Sequence, residues 1–159
     1  MEPIKIIECP RDAMQGIKAF IPTDRKVAYI QSLLRVGFDT IDFGSFVSPK
    51  AIPQMQDTAE VLDRLDLSKT QSKLLAIIAN TQGAIAASQH QAIQYLGFPF
   101  SISENFQMRN THKTIAESLV TLQEILEIAD KSNKEVVAYL SMGFGNPYGD
   151  LYDEDLVFE

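Results

Sequence analysis

Residues 4–12, Ile4-Lys5-Ile6-Ile7-Glu8-Cys9-Pro10-Arg11-Asp12, are a short apolar run that passes directly into Pro-Arg-Asp. Such a run, rich in isoleucine and closed by proline, reads as a β-strand with a stop signal. The turn after this first strand separates the α/β architectures. A glycine-rich turn would be the phosphate-binding fingerprint of a dinucleotide fold, and none is present.

Four further runs of the same character lie downstream: Thr40 to Phe46, Leu74 to Asn80, Leu96 to Ser101 and Val136 to Ser141. Each is nearly continuously apolar, as strands covered on both faces are. Four helical segments separate the five runs. The first starts near Thr23 as N-cap, places Val27, Ile30, Leu33 and Leu34 on one face, and stops at Gly37 as C′ residue. Shorter segments are expected at Thr58 to Leu65 and Gln82 to Gln91. The longest carries a stripe of Ile115, Leu119, Leu122, Ile125, Leu126 and Ala129 and ends near Ser132 and Asn133. Strand, helix, strand, repeated without a linker, predicts an α/β chain of parallel βα units in a single domain over residues 1–159, with no separate second domain. By length alone, 159 residues suit a doubly wound sheet better than a closed (β/α)8 barrel, which needs roughly 250.

Composition narrows the function classes. With 14 Lys plus Arg against 21 Asp plus Glu, the formal net charge of −7 opposes nucleic acid and anionic membrane surfaces. No stretch is apolar and long enough to span a bilayer. The single cysteine, Cys9, excludes an internal disulfide and reads as a small core residue. The beginning of the sequence lacks an apolar signal region, so the expected setting is cytoplasmic.

In parallel α/β folds, working residues gather at the carboxyl ends of the strands. Those positions here hold Arg11, Asp12 and Gln15, then Asp42 and Ser45, Asn80, Ser103 with Glu104, and Ser141. An aspartate beside an arginine in such a cup can hold a hard divalent cation while the guanidinium stabilises a developing oxyanion. His90 and His112 share no spacing that would place both on one cation. The acids Asp150, Asp153, Glu154 and Asp155 read as a solvated helix start.

Three segments carry a resemblance: Glu8-Cys9-Pro10-Arg11-Asp12-Ala13-Met14-Gln15, Ser45-Phe46-Val47-Ser48-Pro49-Lys50, and Pro53-Gln54-Met55. Together with Asn80 and Gly83, Ser103 to Phe106 with Asn110, and Tyr139 to Ser141 with Gly145 to Tyr148, they resemble the hydroxymethylglutaryl-CoA lyase family in order and over nearly the whole chain. The resemblance implies a partial (β/α)8 TIM barrel, with about five of eight strands present. It also implies an acyl-CoA substrate, Mg²⁺ or Mn²⁺ as cofactor, and cleavage of 3-hydroxy-3-methylglutaryl-CoA, or a related 3-hydroxyacyl-CoA, to acetyl-CoA and acetoacetate, as in leucine degradation.

By position, Arg11 resembles the catalytic arginine and Asp12 the carboxylate metal ligand. Asp42 stands where the family has a glutamate that organises the site. Gln15, Ser45, Asn80, Ser103 and Ser141 match substrate-binding positions. The family's glycine after Arg-Asp is Ala13 here, its leucine Met14, and its asparagine after Gln is Gly16. Its His-x-His pair and its cysteine in a glycine-rich loop have no counterpart, so the resemblance implies that activity needs a C-terminal half. Five strands leave an open edge after Val136 to Ser141, which favours a homodimer. Two alternatives stand beside the lyase: an enzyme of the same superfamily that condenses acetyl-CoA with a 2-keto acid, and a non-catalytic half-barrel docking onto a partner subunit.

Overall fold

Thr40–Ser45 (β2) is buried at every position, and the chain is organised around it. The computed structural model describes residues 4–150 and 153–158. Among them β1 (Ile7–Glu8), β2, β3 (Lys73–Ile77), β4 (Tyr95–Ser101) and β5 (Glu135–Ser141) form one parallel sheet in the order β1-β2-β3-β4-β5. A doubly wound sheet reverses its strand order at a switch point; this one never does. Sequential order with a crossover after each strand is how a (β/α)8 barrel begins, and the five strands are part of such a barrel. Length favoured the open doubly wound sheet. The topology corrects that in favour of the partial barrel.

Alternation along the strands divides the core in two. Ile41 and Phe43, Leu74, Ala76 and Ile78, and Leu96, Phe98 and Phe100 point outward into the buried cluster formed with the helices. There they meet Ile30 and Leu34 of α2 (Thr23–Leu34), Val61 and Leu62 of α3 (Thr58–Asp63), Ala84 and Ala87 of α4 (Thr81–Ser88), and Ile125 and Ala129 of α6 (Ile115–Lys131). The opposite parity of the strands faces the concave side. The register between β2 and β3 slips between Asp42 and Gly44. Bulges of this kind re-aim a side chain, here beside Asp42.

Both outer strands depart from the expectation of continuous burial. The run from Ile4 to Cys9 yields only the two-residue β1, with Ile4 93% and Ile6 60% exposed. Strand β5 pairs with β4 over all seven residues, yet its positions are half-buried or exposed. Among the described residues each pairs with a strand on one side only, which leaves its other edge and the side chains along it open to solvent.

Helix ends are set by local chemistry. Thr114 and Glu117 form a reciprocal capping box at the start of α6. Helix α2 follows Pro22, and Thr23 hydrogen-bonds Asp57 instead of capping. Gly37, expected at C′, lies two residues past the C-cap Arg35 and turns the chain there with φ +86°. Two short helices add to the expected ones, α1 (Pro10–Gln15) and α5 (Glu104–Thr111), and the helix start expected among the acids after Pro147 is that of the short α7 (Asp155–Phe158). Each is too short to show a stripe in the sequence.

Candidate active site

Proline at the first position of α1 lets the chain turn into a helix directly off β1, because a missing N–H costs nothing there. That turn puts Arg11, Asp12 and Gln15 at the carboxyl end of the sheet. The Arg11 side chain, 12% exposed, crosses to the fully buried Asp42 of β2. Its Nε donates to both carboxylate oxygens at 3.2 Å, and Nη2 donates to Oδ2 at 2.5 Å. Nη1 donates to Asp12 Oδ1 at 2.8 Å and to Gln15 Oε1 at 3.1 Å. Gln15 Nε2 closes the ring by donating to Asp12 Oδ1 at 3.0 Å. Of the guanidinium's five donors, one Nη2–H has no partner among the described residues.

The electrostatics are set by burial. Burial pushes the Asp42 carboxyl up from its ordinary value, and the Arg11 bonds recover only part of the shift. Burial also opposes the charge on Arg11, but its bonds to Asp42 prevail and hold it firmly protonated. Asp42 thus aims and neutralises Arg11. Asp12 differs, since its side chain is 64% exposed and only Oδ1 is engaged among the described residues.

These residues border a cleft of about 610 Å³ on the concave side. Its floor is the inward parity of the strands: Asp42, Ile77, Ala79, Pro99, Tyr139 and Ser141. Phe106, Arg109, Asn110 and Thr111 of α5 make one wall, and Val47, Ala51 and Ile52 another. Tyr139 lies in the field of Asp42. Burial first, and that carboxylate second, push its phenol up to about 12, so it stays a proton donor. Tyr139 and Arg109 are not among the residues expected from the sequence. The strand parity that brings Ser141 inward brings Tyr139 inward too, which is the signal that could have found it.

The residues expected at the site divide into two groups. Arg11, Asp12, Gln15, Asp42 and Ser141 come together around the cleft. Ser45, Asn80 and Ser103 do not line it. Ser45 Oγ accepts from the Val47 N–H at 3.2 Å in the turn after β2. Asn80 caps α4, accepting from the Gly83 N–H at 2.9 Å, and Ser103 caps α5, accepting from Phe106 N–H at 3.2 Å.

Ser103 Oγ also donates to Asp150 Oδ2 at 2.8 Å, beside a smaller hollow of about 240 Å³. Asp150, expected to be solvated, is therefore half-buried and hydrogen-bonded. Cys9, expected in the core, is exposed at the cleft rim, and partial burial with nearby Asp42 pushes its thiol up. The His90 ring packs against Phe46 with centroids 5.4 Å apart. Among the described residues, no three His, Cys, Asp or Glu side chains lie close enough to hold a metal ion. Asp12 fits one ligand position for a hard cation and not a whole site.

No protein-family model matches the chain. The cytoplasmic 3-hydroxy-3-methylglutaryl-CoA lyase of Rattus norvegicus is 33% identical over 148 residues, which are 92% of this chain and 43% of the rat protein. A hydroxymethylglutaryl-CoA lyase of Bacillus subtilis is 34% identical over 142 residues, 87% of this chain and 46% of that protein. Among solved structures, an HMG-CoA lyase from Acinetobacter baumannii, in complex with coenzyme A and 3-methylmalate, superposes with a TM-score of 0.89 at 32% identity. That superposition covers 97% of this chain and 50% of the other. The chain spans about half the length of the relatives it matches. Its sequence and its five-stranded half-barrel are similar to the N-terminal part of hydroxymethylglutaryl-CoA lyases.

Proposed function

We propose that this chain supplies the N-terminal half-site of a divalent-metal-dependent carbon–carbon lyase that cleaves 3-hydroxy-3-methylglutaryl-CoA, or a related 3-hydroxyacyl-CoA, to acetyl-CoA and a 3-keto acid. The observation that carries the reading is the Arg11–Asp42 pair at the mouth of a barrel similar to those lyases. In a retro-aldol cleavage a base takes the proton of the 3-hydroxyl, the carbon–carbon bond breaks, and its electron pair moves onto the thioester as an enolate. The enolate carbon then takes a proton to become acetyl-CoA.

Arg11 neutralises the enolate oxygen through its unpartnered Nη2–H, and Asp42 holds the guanidinium in place so that no reorganisation is needed during the reaction. Gln15 and Ser141 orient polar groups of the substrate. Tyr139 donates a hydrogen bond and does not act as the base. Arg109, whose guanidinium lies 4.6 Å from the centroid of the Tyr148 ring, faces an anionic group of the acyl-CoA. Asp12 would be one ligand of Mg²⁺ or Mn²⁺, which would supply positive charge to stabilise oxyanions that develop in the reaction.

No three-ligand cluster lies among the described residues and this reading assigns no base there, so in the proposal turnover draws on further strands, from the same polypeptide or another. The open edges at β1 and β5 invite that pairing, or a homodimer. A cytoplasmic setting, expected from the sequence, belongs to the same proposal.

The test begins with the intact mass of the protein from its source, set against 17.7 kDa for this chain and roughly 30 kDa for a full barrel. The native polypeptide is then assayed with Mg²⁺ or Mn²⁺ for acetoacetate release from 3-hydroxy-3-methylglutaryl-CoA. Release that Arg11→Met abolishes supports the lyase. Thiol release from acetyl-CoA with a 2-keto acid, and no acetoacetate, would replace it with the condensing reaction. A native 17.7 kDa chain with neither activity would leave a docking half-barrel.

A further inference from the structure

Helix α1 has six residues, too few to be stable by itself, so its placement must be imposed by what it packs on. The loop that leaves it, residues 16–22, contains no helix or strand. Its backbone polar groups converge on one side chain. Gln54, 4% exposed in the turn Pro53–Met55, donates through Nε2 to the carbonyls of Ile17 and Ala19 at 2.9 Å each. Its Oε1 accepts from the Ile21 N–H at 2.8 Å. A primary amide carries two donors and an acceptor together, and no other side chain of that length does.

Gln54 is itself held from below. Buried Lys26 donates its Nζ to the Gln54 backbone carbonyl and, at 2.6 Å, to Asp57 Oδ1. The Lys26 ammonium also lies 4.1 Å from the centroid of the Phe20 ring, which ties the loop a second time. Asp57 Oδ2 accepts from Thr23 Oγ1 at 2.8 Å, so both carboxylate oxygens are used. A buried lysine is costly unless paired, and none of these groups reaches the cleft.

We infer that Gln54, braced by the Lys26–Asp57 pair, is a positioning residue: it fixes the loop after α1, and thereby the angle at which Arg11 meets Asp42 and Asp12 faces the cleft. The inference rests on reading Arg11 and Asp12 as the working groups of α1. It gives the Pro53-Gln54-Met55 segment a task in the site although the segment lies behind it.

The test monitors the Arg11 Nε–H by ¹⁵N NMR in the chain as it stands, with the Ile21 amide as reporter of the loop. In the wild type that N–H is bonded to a buried carboxylate and should exchange slowly with solvent. Gln54→Leu removes donors and acceptor, while Gln54→Glu keeps the acceptor and loses the donors. Both should speed Arg11 Nε–H exchange by roughly tenfold or more, leaving Ile41 and Leu75 amides protected. Ile125→Val, which trims the core under α6, controls for simple loss of stability and should leave the Arg11 signal in place.

An Arg11 Nε–H that stays protected in Gln54→Leu while the Ile21 amide is exposed, or that stays protected in Gln54→Glu, would overturn the inference. So would an equal acceleration in Ile125→Val. Because the readout is a resonance of the chain, it stands whether or not the native polypeptide cleaves an acyl-CoA. Where it does, the Gln54 variants should lower kcat with KM held within about twofold, the split expected when transition-state contacts are lost.

Discussion

Arg11 and Asp42, thirty-one positions apart in sequence, meet through three hydrogen bonds of 2.5 to 3.2 Å that join the first helix to the second strand. The carboxylate is fully buried, so its charge has no solvent to fall back on. Arg11→Met should therefore destabilise the chain by about 3–5 kcal/mol, the range for stripping one partner from a buried pair. Arg11→Met combined with Asp42→Leu should recover most of that loss. Urea unfolding of the single and double variants measures both, and a single variant as stable as wild type would show that the pair is not a coupled unit.

Asp12 is exposed and hydrogen-bonded only through Oδ1, so its removal should spare the fold. Asp12→Asn should change stability by less than about 0.5 kcal/mol. Titrated with Mn²⁺ and monitored by electron paramagnetic resonance, this chain should bind only weakly, because one carboxylate is a poor site for a hard cation. Asp12→Asn should abolish that binding. Tight binding, or binding that survives the substitution, would move the ligand role elsewhere.

Tyr139 should titrate well above the ordinary value of a phenol. Its phenol is raised from 10.0 to about 12, so the folded chain holds that proton where the unfolded chain has lost it. The stability this contributes is fully present below pH 10.0 and disappears as pH rises through about 12. Absorbance at the phenolate band should show a late step that Tyr139→Phe removes. A titration without a delayed step would deny the burial of that ring beside Asp42.

Two glycines should respond oppositely to alanine. A Cβ at Gly83 would stand 2.8 Å from the Phe46 carbonyl oxygen, so α4 must shift, and Gly83→Ala should cost about 1–3 kcal/mol. Gly16, at φ −83°, has nothing within 4 Å of the same atom. Gly16→Ala should stabilise by about 0.4–1 kcal/mol by restricting the unfolded chain. Thermal melts of the two variants compare them directly, and a neutral Gly83→Ala would mean that α4 does not touch the turn after β2.

By itself the sequence determined the α/β class, because apolar runs and 3.6-residue stripes are local signals that survive wherever the chain folds. It also supplied the Pro-Arg-Asp turn. Residues adjacent in sequence stay adjacent in space, so Arg11, Asp12 and Gln15 were legible as a group, and the strand-end rule added Asp42 and Ser141.

Tertiary structure alone decided which polar strand ends face the cleft. Asn80 and Ser103 come after their strands just as Arg11 does, yet each caps the helix behind it, since a βα unit must satisfy that helix's free N–H groups with the same side chains a ligand would use. Composition cannot separate a cap from a contact. The same holds for Cys9, whose apolar surroundings in sequence suggested a core that a sheet ending at β1 does not provide. Tyr139 was within reach of the strand parity that brings Ser141 inward, whereas Gln54 was illegible for a related reason: what it does depends on the path of one loop, which is fixed by packing between segments far apart in the chain.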